Sequence, residues 1–173
     1  KELKNVSLHR DVVRKKRRKR FNIDHVAIGP FGVAVVETKA RYKPPKGETV
    51  LWASDDTVHF SDGTFAHKPI AQIKANAAEI RDMIMERIRE TANKEFRHMR
   101  KEDLPIRAIL CYPGWYIDYT RTDCNGFYIT NDELLLQYLR KREPVWNQEQ
   151  TSSMAQMLGE YMRKNRMDIL LEE

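Results

Sequence analysis

Asp24, Glu37 and Lys39 are the residues whose types and spacing could do chemistry, and they fall within one stretch, NIDHVAIGPFGVAVVETKAR, at residues 22–41. The stretch reads as two apolar strands, 22–28 and 33–40, joined across Gly29-Pro30-Phe31-Gly32, where proline and glycine supply the dihedrals of a tight reversal. A two- or four-residue loop sets Asp24 directly opposite Glu37. Side chains alternate along a strand, so Lys39 then shares the face of Glu37, and two carboxylates and an ammonium lie on one side of the hairpin. Opposed Cβ atoms in such a ladder are about 4.5–5.5 Å apart, and like charges so placed destabilise a sheet. A divalent cation held by hard oxygen ligands is the natural offset. A three-residue loop with a glycine bulge would instead shift the register by one and set Asp24 opposite Thr38.

Asp24 followed by Glu37-Thr38-Lys39 at the end of an apolar strand resembles the PD-(D/E)xK nuclease signature. More narrowly, IDHVAIGPFGVAVVETK is similar to the opening of the nuclease-related domain, and PIAQIKANAAEI at residues 69–80 to the helix that follows it. The tripeptide Glu-x-Lys is a weak signal by itself; the whole run with its turn and the later glutamine is far more specific. The likeness covers residues 6–80 well and the rest in outline.

That resemblance implies an α/β fold of the restriction-endonuclease type, with a central mixed β-sheet flanked by helices. It also implies metal-dependent hydrolysis of phosphodiester bonds in nucleic acid, DNA above all. In this scheme Asp24 and Glu37 hold Mg²⁺ or Mn²⁺, with the Thr38 carbonyl as a further ligand, and the cation polarises a phosphoryl oxygen and acidifies bound water. Lys39 orients the attacking water or neutralises developing charge. In some families of this kind a glutamine on the following helix reaches toward the site, and Gln72 is the matching position; the alternative for Gln72 is a helix-surface amide. Family members also carry an acidic residue on a helix before the first strand. Glu2 is the only acidic residue upstream of His9, so that first core helix is expected to be missing or truncated. The competing reading is a non-catalytic nucleic-acid-binding or regulatory module that keeps the fold.

The elements that must position these residues follow from pattern. VSLHRDVV at 6–13 alternates loosely and is expected to form the first strand. It runs into Arg14, Lys15, Lys16, Arg17, Arg18, Lys19 and Arg20, whose repulsion forbids burial and predicts an exposed loop. This loop either clamps phosphates, making binding salt-dependent, or is simply solvated. After Lys39, Pro44 and Pro45 break the strand, and residues 49–53 and 57–60 predict a meander that extends the sheet at its edge. Asp55, Asp56 and Asp62 sit there as turn residues rather than metal ligands. Ile70, Ile73, Ala77, Ile80, Ile84 and Ile88 keep helical spacing and predict a helix over 69–99, with Gln72 and Asn76 on one face. IRAILCY at 106–112 is the pattern of a buried strand, parallel to a neighbour through a crossover. Trp115, Tyr116 and Tyr119 either stack on bases or fold onto one another. A last strand over 127–130, a helix over 133–142 capped by Asn131 or Asp132, and a helix over 148–166 complete the chain.

Composition bounds the rest. The 173 residues suit one domain spanning residues 1–173, and the formal net charge of +6 favours a polyanionic partner. No apolar run is long enough to span a bilayer, and Cys111 and Cys124 lack metal-ligand spacing, so a reducing, cytoplasmic setting is expected. The chain opens on Lys1 with no secretory leader, as a processed or excised piece would. Homo-oligomerisation is compatible with the sequence without being argued by it. His25 neighbours Asp24 but points to the opposite sheet face, where it is expected to pack or hydrogen-bond. Neither a serine-nucleophile elbow nor a glycine-rich phosphate loop occurs.

Overall fold

A computed structural model describes residues 7–16 and 19–170 of the chain, with side chains from residue 23 to 164. The hairpin at the centre of the sequence pattern is the centre of the fold. Strand β1 (Ser7–Lys16) pairs antiparallel with β2 (Lys19–Gly29), which pairs antiparallel with β3 (Gly32–Thr38). The β2–β3 register runs from Gly29↔Gly32 to His25↔Val36, so the loop is the two residues Pro30 and Phe31. Gly32 has φ +95°, and a Cβ there would lie 2.4 Å from the Pro105 carbonyl oxygen, so only glycine fits. That close approach lets the Val33 N–H donate to the Pro105 oxygen at 2.8 Å.

Beyond β3 the chain builds a second sheet before returning. Strands β4 (Val50–Ser54), β5 (Thr57–Phe60) and β6 (Phe65–Ala66) form a meander, and β8 (Tyr116–Ile117) later adds to it, giving the order β6-β5-β4-β8. The expected extension of the main sheet is thus corrected to a separate four-stranded sheet. The alternation of Leu51, Ala53, Val58 and Phe60 fixes a buried face but cannot say which sheet carries it. Asp55 and Asp56 turn the β4–β5 hairpin with φ 49° and 58°, the conformation of a two-residue type I′ turn, and Asp62 accepts from Arg41 and from the Thr64 N–H.

Helix α1 (Lys68–Glu90) carries the chain back to β7 (Ile106–Cys111), which is parallel to β3, and β9 (Tyr128–Thr130) adds parallel to β7. The main sheet therefore has the mixed order β1-β2-β3-β7-β9. Helix α1 is shorter than expected. Thr91 caps it, and Ala92 follows in the left-handed region at φ 46°, so residues 93–99 turn although their composition suits a helix. Helix α2 (Asp132–Arg140) starts on an Asn131 side chain that accepts from the Leu134 N–H, and α3 (Gln148–Leu170) is the last element.

One large core holds Val26, Val33, Val35, Leu51, Ile70, Ile73, Ile80 and Met154 together, so α1, α3 and the second sheet share one face of the main sheet. A smaller cluster of Ala27, Ala34, Val36, Ile109, Cys111 and Leu139 packs α2 on the other. This is an α/β fold with mixed sheets flanked by helices, of the restriction-endonuclease kind. None of the described helices is long and apolar enough to cross a membrane. The stretch before β1, where the first core helix is expected to be missing or truncated, lies outside the described residues.

The basic run is also corrected in part. Arg14, Lys15 and Lys16 end β1 and Lys19 and Arg20 open β2, with Lys15↔Arg20 and Lys16↔Lys19 paired; Arg17 and Arg18 lie outside the described residues. Repulsion argues against burying these side chains, not against pairing their backbones.

Candidate metal and phosphodiester site

Three elements bring the site together. On β3, Val33 and Val35 face the large core, so Glu37 continues that face; on β2, Asp24 lies in sequence between Ile23 and Val26, both of which reach the same core. The β2–β3 ladder ends at His25↔Val36, and Asp24 and Glu37 are the residues just past that last registered pair. Helix α1 crosses this face, and Gln72 and Asn76, one turn apart, look down on Glu37.

Glu37 is 4% exposed, and both its carboxylate oxygens are engaged. Oε1 accepts from Lys39 Nζ at 2.7 Å and from Gln72 Nε2 at 2.8 Å, and Oε2 accepts from Asn76 Nδ2 at 3.1 Å. Lys39 Nζ also donates to Gln72 Oε1 at 2.8 Å, closing a three-membered ring of polar groups. Asp24 Oδ2 accepts from the Thr38 N–H at 2.8 Å, which fixes the Thr38 peptide between the two acids. The network runs from a buried Asn76 to an exposed Gln72, so it opens to solvent at the Lys39–Gln72 end.

These bonds revise the electrostatic argument. The repulsion between the opposed acids is offset inside the protein, by an ammonium and two amides on Glu37 and a backbone N–H on Asp24. Among the described residues no group of three or more His, Cys, Asp or Glu side chains gathers to hold a metal. The donors at hand are two carboxylates and the Thr38 carbonyl, all hard oxygens. Mg²⁺ is commonly bound by one or two carboxylates while keeping several waters, so the donor set suits it in kind.

Asn76 belongs to the site although sequence reasoning placed it only on Gln72's face; the four-residue spacing was the signal. Of the three aromatics after β7, Trp115 is buried edge-on to Phe60 at 5.2 Å, and the Tyr119 hydroxyl, an acceptor for that of Tyr128 at 3.2 Å, donates to the Ile129 oxygen at 3.3 Å. Only Tyr116 stands well clear, 67% exposed. His25 lies on the opposite sheet face, and its buried Nδ1 has no hydrogen-bond partner among the described residues. Cys111 is on that face too, and burial, with the Asp132 carboxylate second, pushes its thiol up to about 11.

A family model for the nuclease-related domain matches residues 1–113. The chain belongs to the nuclease-related domain family. The match takes in every residue of this network and ends just past β7, so β8, β9, α2 and α3 lie beyond the matched residues. No curated protein and no solved structure matches the chain.

Proposed function

We propose that this nuclease-related domain is a metal-dependent nuclease that hydrolyses phosphodiester bonds of DNA. The observation that carries the reading is the Glu37 carboxylate held by Lys39, Gln72 and Asn76, with Asp24 anchored on the Thr38 N–H beside it. Asp24, Glu37 and the Thr38 carbonyl would hold Mg²⁺ or Mn²⁺. Such a cation polarises a phosphoryl oxygen and lowers the pKa of bound water. Lys39 has three N–H donors, of which Glu37 and Gln72 take two, leaving one for a phosphate oxygen or the attacking water. Gln72 spends its amide oxygen on Lys39 and its N–H on Glu37, so it is a positioning residue that sets where the ammonium stands. The cationic residues Arg14 to Arg20 supply phosphate contacts.

Incubation with plasmid and with single-stranded DNA across Mg²⁺ and Mn²⁺ concentrations tests this. Cleavage should appear with metal, vanish with chelator, and be lost in Glu37→Gln and Lys39→Ala. One observation favours a second reading. Glu37 already accepts three hydrogen bonds from the protein's own donors, as a structural carboxylate would. Tight DNA binding with no cleavage at any metal concentration would replace the nuclease by a non-catalytic DNA-binding module.

A further inference from the structure

We infer that the nuclease-related domain takes a single-stranded segment at this site, seated on Tyr42 and Tyr116; this rests on the proposed nuclease reading and names its substrate class. Thr38 and Cys111 are register partners at the ends of two parallel strands, β3 and β7. The Lys39 N–H donates to the Cys111 oxygen at 2.8 Å, so the loops that follow leave the sheet side by side, at the end where Glu37 and Lys39 stand. In open sheets, ligands bind outside the carboxyl ends of parallel strands.

The two loops touch. Lys43 Nζ lies so close to Gly114 that a Cβ there would be 2.1 Å from it, and the Tyr116 N–H donates to the Thr49 oxygen at 2.8 Å. Tyr42 and Tyr116 flank these junctions and are 81% and 67% exposed. Large aromatic rings left in water three residues from Lys39 and two from Gly114 have no part in the core. Lys43 and Lys46 stand in the same loop, and neither forms an ion pair among the described residues. Exposed rings beside unpaired cations match the two faces of a single strand: bases stack on the rings, and phosphates meet the ammonium groups. A paired duplex keeps its bases stacked on one another and offers the tyrosines nothing.

Fluorescence anisotropy with a labelled oligothymidylate and with a duplex of equal length, both in chelator so that no cleavage occurs, tests the inference. Tyr42→Ala with Tyr116→Ala should weaken oligothymidylate binding at least tenfold and duplex binding less than threefold, while Tyr42→Phe with Tyr116→Phe keeps it. Lys43→Ala with Lys46→Ala should weaken binding and reduce its salt slope by the equivalent of up to about two phosphates. Unchanged oligothymidylate affinity in the folded double-alanine variant overturns the inference, as does an equal loss for both probes. Its failure is separable from that of the nuclease reading, because plasmid cleavage is scored independently of anisotropy.

Discussion

Glu37 shows how one carboxylate is used differently along its length. Asn76 meets it where water is excluded, and Gln72 meets it at the rim. Asn76→Ala leaves a buried acceptor without its donor and should lower stability by about 1–3 kcal/mol, read from urea unfolding. Gln72→Ala exposes its partners to water, which replaces the missing bonds, so stability should fall by less than about 1 kcal/mol. Its effect belongs to turnover instead, because Lys39 loses half of its anchoring; cleavage should drop on the order of tenfold or more, with Asn76 variants assayed at equal folded fraction for comparison. Asp24→Asn keeps an oxygen to accept from the Thr38 N–H, so its melting curve in chelator should match the parent's. The stabilisation by Mn²⁺, roughly 2.7 kcal/mol at a hundredfold excess over the dissociation constant, should shrink in that variant. Equal metal-induced shifts in the two proteins would place the cation elsewhere.

Among the elements, the β2–β3 hairpin was the most legible in sequence. Gly29-Pro30-Phe31-Gly32 admits few loop lengths, and the two-residue loop fixes which side chains meet. Gly32→Ala should therefore be among the most damaging single changes, since φ +95° disfavours any side chain and the new Cβ meets the Pro105 backbone. A loss of about 2 kcal/mol or more is expected in chemical unfolding. The second sheet was less legible, because β8 is the two residues Tyr116–Ile117 and pairs across a large sequence separation with β4, which no local pattern reveals. The end of α1 was missed for a related reason, a single left-handed residue, Ala92, where glycine is the usual signal. The basic hairpin carries a prediction of its own. Lys15 and Arg20 are register partners, as are Lys16 and Lys19, so a polyanion that screens this run of like charges should stabilise the fold. Replacing Arg17, Arg18 and Lys19 by alanine should weaken DNA binding and flatten its salt dependence by about 0.7–0.9 log units for each phosphate no longer neutralised. An unchanged slope would leave those charges to solubility alone.

At the scale of the molecule, alkaline pH reads out the packing of β7. Burial raises the Cys111 thiol from 9.0 to about 11 and the Tyr112 hydroxyl from 10.0 to about 12. Both groups keep their protons in the folded chain at pH values where the unfolded chain has released them. Their contribution is thus complete below pH 9 and is lost as pH rises through 11 and 12, at a slope on the order of 1 kcal/mol per pH unit per group. The melting temperature should fall across that window, and Cys111→Ala should flatten its lower half. The candidate site was legible at this scale only in part: sequence spacing singled out Asp24, Glu37 and Lys39, but which oxygen of Glu37 each amide serves depends on how α1 crosses the sheet, a tertiary fact. The same crossing divides the site along the chain. Asp24, Glu37 and Lys39 precede the Pro44-Pro45 loop, whereas Gln72 and Asn76 follow it, and every bond between the two groups spans that loop. A break just after Gly47 would split the network into halves that meet only when the two fragments reassociate, making the recovery of cleavage a reporter of complementation.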